Sequence, residues 1–104
     1  ARTLCEILRR MALGPSRQVW LDSLAAAGDE QGTLRKVTDQ RLKGRLFAKT
    51  GFVSQARALS GYLKTDSGRV VVFSLLANGP GGRTMNHDAA RQWFTETLLA
   101  LLDY

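Results

Sequence analysis

Apolar residues recur along this chain at two different periods, and the change falls near Arg45. Before it, Leu4, Ile7, Leu8 and Met11 repeat at helical spacing, and Gly14-Pro15 stop that helix. Ser16 is placed to cap a second helix whose apolar positions include Val19, Trp20, Leu24 and Ala27, with Gly28 as its end. Gly28 to Gly32 reads as a loop by composition. Thr33 to Leu42 predicts a short helix only weakly, because its periodicity is poor.

From Arg45 the period is two. Leu46, Ala48 and Thr50 point one way, Arg45, Phe47 and Lys49 the other, and Gly51 breaks the run. Ala56 to Thr65 predicts a second strand, with Leu59, Gly61 and Leu63 alternating against Ala58, Ser60 and Tyr62. Thr65-Asp66-Ser67-Gly68 is a strong hairpin turn. Arg69 to Ala77 predicts a third strand whose near-continuous apolar run implies burial on both faces. Asn78 to Gly82 ends the sheet. Asn86 or Asp88 can then cap a last helix, with Ala89, Trp93, Phe94, Thr97, Leu98, Leu101 and Leu102 on one side and Trp93 and Phe94 in the core. The expected architecture is α/β in the segregated, α+β sense: two or three helices, three antiparallel strands and a closing helix.

Composition narrows this picture little. The 104 residues allow one domain or part of one, and the ordinary apolar and charged fractions exclude disordered and fibrous classes. The longest apolar run, Val70 to Ala77, suits a buried strand and is too short to cross a membrane. The net charge of +6 comes mainly from arginines dispersed between Arg2 and Arg91. Without a dense basic run or a stripe interleaved with aromatics, they predict a solvated surface rather than a nucleic-acid partner; an anionic substrate is compatible with them. Cys5 and His87 are each the sole residue of their type, so no internal disulfide can form and a Cys/His zinc site is not expected. No cofactor is expected either. The chain opens without a Met, directly into a helical pattern, and is read as a piece of a longer polypeptide.

The candidate chemistry lies in Lys49-Thr50-Gly51. As a tripeptide it carries little information, arising by chance in roughly one chain in forty of this length. Its place at a strand edge gives it meaning. There a Lys offers positive charge, a Thr a hydroxyl, and a Gly leaves the edge open to a substrate laid along it. That combination suits a carboxylate-bearing peptide end.

Around it stand Gly32-Thr33-Leu34-Arg35, Gly44 to Gly51, Ala58-Leu59-Ser60-Gly61-Tyr62, and Gly68 to Gly79. Together these blocks resemble the C-terminal part of the serine D-alanyl-D-alanine carboxypeptidase/endopeptidase family, low-molecular-mass penicillin-binding proteins. The resemblance covers residues 28 to 103, with the helices before it matching in order and length. K-T-G alone is shared with β-lactamases. The resemblance implies a fragment of the penicillin-binding/β-lactamase-like fold, in which residues 1–104 form the C-terminal part of one domain. It also implies an extracytoplasmic location.

In that family a serine of an S-x-x-K motif attacks the D-Ala-D-Ala amide, and water hydrolyses the acyl-enzyme. By the resemblance, Lys49 supports proton transfer and the electrostatics of the site, and contacts the serine of an S-x-N motif. The Thr50 hydroxyl binds the terminal carboxylate of the substrate, and Gly51 gives clearance for its backbone. The Phe52 backbone N–H is the second oxyanion-hole donor, a role worth about 3 kcal/mol in comparable sites. The implied partners are peptidoglycan stem peptides, β-lactams, and the rest of the parent protein or a second copy to complete the sheet.

Two departures qualify this. Where the family commonly has a small hydroxylated residue after K-T-G, this chain has Phe52, so a second hydroxyl for the carboxylate is lost. No S-x-x-K or S-x-N exists either: Ser16, Ser23, Ser54, Ser60, Ser67 and Ser74 all lack a Lys three positions on. The chain alone is therefore expected to be inactive. Other features carry less. His87-Asp88 reads as a helix start rather than part of a triad, and Gly79 to Gly82 lacks the G-K-[ST] of a phosphate loop. Glu6, Asp29, Glu30 and Asp39 form no defensible carboxylate pair. The competing readings are a serine β-lactamase-like fragment, a non-catalytic α/β binding or scaffold domain, and a charge-driven anion or nucleic-acid module.

Overall fold

Helical periodicity near the N-terminus becomes α1 (Arg2–Leu13) and a short α2 (Arg17–Asp22) in the computed structural model, which describes residues 1–27, 29, 32–53, 56–79 and 86–104. Four strands follow: β1 (Ala25–Ala26), β2 (Leu46–Val53), β3 (Ala56–Lys64) and β4 (Val70–Asn78). The closing helix is α3 (His87–Leu101). The expected helix end at Gly28, together with Glu30, Ser54 and the turn residues Pro80, Gly81 and Gly82, lies outside the described residues.

The strands form one sheet in the order β1-β2-β3-β4, each neighbouring pair antiparallel. Register decides which side chains share a face. Leu46, Ala48, Thr50 and Phe52 lie opposite Leu63, Gly61, Leu59 and Arg57, which in turn face Val71, Phe73, Leu75 and Ala77. That face carries the main core. Leu46, Ala48, Leu59, Leu63, Phe73 and Ala77 pack with Ala90, Phe94, Leu98 and Leu102 of α3 and its end. Burial of this face is what holds α3 to the sheet, at roughly 1.5–3 kcal/mol for each large apolar side chain.

The opposite face receives α1 and α2. Tyr62, 3% exposed, donates its hydroxyl hydrogen to the Leu8 carbonyl and accepts one from Trp20 Nε1 at 2.8 Å. One phenol thus ties both N-terminal helices to the middle of β3. Ser60 and Ser74 lie opposite each other on the same face and hydrogen-bond at 2.9 Å. The sheet therefore carries helices on both faces.

Several expectations need correction. Four strands are present among the described residues rather than three. The second helix stops at Asp22, where Ser23 Oγ donates to the Trp20 carbonyl at 2.6 Å and the chain turns. Ala25 and Ala26 then pair with Ala48 and Phe47, and the Ala27 N–H donates to the Leu46 carbonyl at 3.2 Å. Backbone pairing with β2 wins over helix propensity there, which is a weak prior. Ser16 precedes α2 without making a side-chain cap bond.

Thr33 to Leu42 is a series of turns and not a helix, although Leu34, Val37 and Leu42 are buried. Asp39 supplies one reason. Its carboxylate accepts from the Arg41 backbone N–H at 3.0 Å, a local bond that competes with helix formation.

Gly51 does not end its strand; β2 continues to Val53. β4 is not buried on both faces, since Val70 and Leu76 are 60% and 56% exposed. It lies at the edge of the sheet, with no strand beyond it among the described residues. Helical phase was also misplaced in part. Trp93 is 42% exposed while Ala90 is buried, and Leu4 and Ile7 of α1 are exposed with only Leu8 buried.

Other local expectations hold. The Asn86 side chain caps α3 by accepting from the Asp88 N–H at 2.7 Å. Gly68 takes φ 84° in the hairpin, a left-handed conformation glycine adopts without strain. The hairpin is anchored to the end of α3, because the Asp66 N–H donates to the Leu102 carbonyl at 2.9 Å.

Candidate active site

The parity of the β2–β3 ladder determines what the K-T-G segment presents. Lys64 N–H donates to the Arg45 carbonyl at 2.9 Å, and residues 45 and 64 follow the register of the strand pair. In an antiparallel ladder such hydrogen-bonded pairs alternate with non-hydrogen-bonded ones. Lys49 and Gly51 therefore direct their backbone groups toward β3, while Ala48, Thr50 and Phe52 direct theirs toward the outer edge. The outward Leu46 carbonyl, which accepts from Ala27, agrees with that parity.

β1 covers this outer edge only opposite Phe47 and Ala48. Beyond it, the backbone N–H and C=O groups of Thr50 and Phe52 lie on a stretch of edge with no strand against it among the described residues. The Lys49 ammonium donates to the Thr50 carbonyl, so the charge of the lysine sits at the same edge. An extended peptide can add to such an edge as a further strand.

The side chains alternate in the complementary sense. Lys49 is exposed, Thr50 is half-buried on the α3 face, and Phe52 is 60% exposed. At Gly51 a Cβ would stand 3.3 Å from the Ala58 Cβ, a tight contact with a side chain but not with backbone. Lys49, Thr50, Gly51 and Phe52 all border one cleft of about 600 Å³, which continues along the turn from Thr33 to Val37 and the first half of α3.

The cleft is basic. Among the described residues, Arg35, Lys36, Lys49, Arg57 and Arg91 line it, against the single carboxylate of Asp88. Asp88 is engaged by Arg91 at 2.6 Å. Charges of one sign within a concave, partly apolar wall raise the local concentration of an anion.

Sequence reasoning overlooked Arg57. Among dispersed arginines it was assigned to a solvated surface, yet it is 7% exposed. Its guanidinium carbon lies 3.9 Å from the centroid of the Phe52 ring, and that ring is 5.5 Å from the ring of His87. Phe52 and Arg57 are cross-strand partners, so the signal available in the sequence was their separation across a short hairpin. His87, Asp88 and Arg91 reach the cleft because α3 crosses the sheet, a relationship no local pattern encodes.

Other sequence candidates are not brought into a catalytic group. Ser60 and Ser74 bond to each other on the opposite face, and His87 packs on Phe52 while Asp88 pairs with Arg91. No set of three or more His, Cys, Asp and Glu residues is placed to hold a metal among the described residues. No described helix is long and apolar enough to cross a membrane.

The mixed sheet-and-helix unit has the penicillin-binding-protein-like fold, as solved structures show. Penicillin-binding protein 4 of Haemophilus influenzae, complexed with a novel β-lactam, superposes with a TM-score of 0.82 at 20% identity, covering 99% of this chain and 25% of that one. A predatory peptidoglycan endopeptidase of Bdellovibrio bacteriovorus gives 0.65 at 25% identity, covering 79% of this chain and 20% of that one.

Sequence places the chain more narrowly. Residues 1–97 match the D-Ala-D-Ala carboxypeptidase 3 (S13) family, and the chain belongs to it. A carboxypeptidase of Mycobacterium tuberculosis is 39% identical, covering 90% of this chain and 22% of its own length. A D-alanyl-D-alanine carboxypeptidase of Actinomadura sp. is 34% identical, covering 79% and 16%. The chain thus spans about a fifth of the length of these relatives.

Proposed function

We propose that this chain supplies the K-T-G wall of a serine D-Ala-D-Ala carboxypeptidase site acting on peptidoglycan stem peptides outside the cytoplasm, with the nucleophilic serine outside these residues. One observation carries the reading: Thr50 and Phe52 turn their backbone groups outward, along an open edge that borders a basic cleft. Family membership supports it independently.

On this reading the substrate lies extended along β2. The Phe52 N–H points at the carbonyl under attack and stabilises the oxyanion as the serine oxygen adds. Collapse of the tetrahedral intermediate breaks the amide, D-alanine leaves with a proton, and water later cleaves the acyl ester. Lys49 contributes positive charge and proton positioning beside the nucleophile. The Thr50 hydroxyl donates to the terminal carboxylate, and the absence of a side chain at Gly51 lets the substrate backbone approach. β-Lactams acylate the same serine because their carboxylate and strained amide occupy the same positions.

Fluorescent penicillin labelling of the full-length protein tests this. Covalent labelling should disappear when the serine of an S-x-x-K motif is replaced, with D-alanine released from a D-Ala-D-Ala peptide by the wild type. A full-length protein that neither labels nor releases D-alanine sinks the proposal.

A further inference from the structure

We propose that the cleft on the α3 face of β2 receives the side chain of the residue that leaves, with Phe52 as its specificity-determining wall and Arg35 and Lys36 at its rim. The substrate class follows: peptides whose leaving D-residue carries a side chain longer than a methyl group and ending in an acid. This rests on the carboxypeptidase reading above and goes beyond it by naming where the leaving side chain lies. Three observations converge on the cleft.

The first is register combined with chirality. With its carbonyl on the Phe52 N–H and its terminal carboxylate at Thr50, the substrate runs antiparallel to β2, and its last residue falls opposite Gly51. Residues directly opposite in an antiparallel pair place L side chains on the same face. Gly51 alternates with Thr50 and Phe52, which stand on the α3 face, so an L-residue opposite it would project to the other face. A D-residue, with side chain and hydrogen exchanged, projects onto the α3 face between Thr50 and Phe52. The leaving residue of a D-Ala-D-Ala carboxypeptidase has this configuration. The residue before it, opposite Phe52, sends a D side chain the other way, and only an L side chain there would meet the ring.

The second is the ring itself. Phe52 is 60% exposed and yet supported, with the Arg57 guanidinium 3.9 Å from its centroid and the His87 ring 5.5 Å away. Arg57 is buried and engaged within the protein, so it serves here as a prop for the ring and not as a ligand for substrate. A supported aromatic surface beside the leaving residue favours an apolar chain laid against it.

The third is the space and its charge. The cleft bordered by Thr50 and Phe52 holds about 600 Å³, many times what a methyl group fills. Its inner wall includes the buried apolar side chains of Leu34, Val37 and Phe94. Its rim is cationic: Arg35 and Lys36 are exposed on the turn that borders it, while the Asp88 carboxylate is taken up by Arg91. An aliphatic chain followed by a carboxylate matches that succession of surfaces, the chain on the apolar wall and the acid at the basic rim.

The test uses the full-length protein and acylated D-Ala-D-Xaa peptides that differ only in the last residue: D-alanine, D-norleucine or D-α-aminoadipate. Release of that residue is followed by chromatography. The two long residues have side chains of equal carbon count, the second ending in a carboxylate where the first ends in a methyl. Wild-type kcat/KM should rank aminoadipate above norleucine, and norleucine at or above alanine. Ratios between peptides do not depend on the fraction of protein folded. Phe52→Ala should reduce the norleucine-to-alanine ratio about tenfold, and Phe52→Leu should retain part of it. Arg35→Gln combined with Lys36→Gln should lower the aminoadipate-to-norleucine ratio about threefold and leave the norleucine-to-alanine ratio as in the wild type. A wild type that releases alanine faster than either long residue, or an unchanged ratio in either variant, overturns the assignment while leaving the carboxypeptidase reading intact. A wild type that releases none of the three removes that reading and this one together.

Discussion

Gly61 lies directly opposite Ala48, so close that a Cβ added to Gly61 would stand 2.2 Å from the Phe47 carbonyl oxygen and 2.6 Å from the Ala48 Cα. Both contacts are with backbone, which cannot swing aside as a side chain can. The approach of β3 to β2, and with it the position of the K-T-G segment, depends on this absence of a side chain. Gly61→Ala should therefore destabilise the fold by about 2–4 kcal/mol, through forced separation of the two strands. Denaturant unfolding measures this, and a loss under about 0.5 kcal/mol would show that the strands are not held at that distance.

Tyr62→Phe removes one hydroxyl that serves two helices. It leaves Trp20 Nε1 and the Leu8 carbonyl to find other partners, at a cost of about 1–3 kcal/mol. A red shift of tryptophan emission should accompany it as Trp20 loosens. Unchanged stability and emission would mean that α1 and α2 are held by packing alone.

Phe52→Pro separates the proposed role of the backbone N–H at this position from that of the ring. Because the Phe52 N–H faces the outer edge, proline removes no bond of the β2–β3 ladder. It should still slow penicillin acylation by about 100- to 1,000-fold relative to Phe52→Ala, which keeps the N–H. Equal rates for the two variants would exclude this N–H as an oxyanion donor.

β4 offers an open edge and the exposed apolar side chains of Val70 and Leu76. Expressed alone, these 104 residues should self-associate or precipitate as concentration rises, and Leu76→Lys should reduce that tendency. Sedimentation velocity across a concentration series decides it. A stable monomer at high concentration counts against the open edge as a partner-seeking surface.

Asp39 gives the fold a small acid sensitivity. Its hydrogen bonds to the Arg41 side chain and backbone hold its carboxyl below the usual value, and the same pairing raises Arg41. A carboxyl depressed on folding stabilises the native state above the ordinary carboxylate range, and that contribution is lost as pH falls through the depressed value. Both groups are solvent-exposed, so the effect is slight. Asp39→Asn should remove that small contribution near neutrality and flatten the stability profile below about pH 4, so that the variant and the wild type converge in acid, as thermal melts across pH would show.

Much of this molecule is local, and the local part was legible in the sequence. Alternation from Leu46 through Leu63, the Gly68 turn and the Asn86 cap are each set by a few neighbouring residues, so they could be read directly. The blocks from Gly32 to Gly79 likewise carried the family, which the match over residues 1–97 establishes. Tertiary structure decided the rest. Ala25 and Ala26 became a strand because β2 offered them backbone partners, and β4 stayed half exposed because nothing in the described residues lies beyond it. Lys49-Thr50-Gly51 could be singled out from order alone. That Phe52 and Arg57 meet across the sheet, and that α3 brings His87, Asp88 and Arg91 to the same cleft, could not. Strand register and helix docking are set by the sum of many packing contacts distant in sequence, and no short pattern carries that sum.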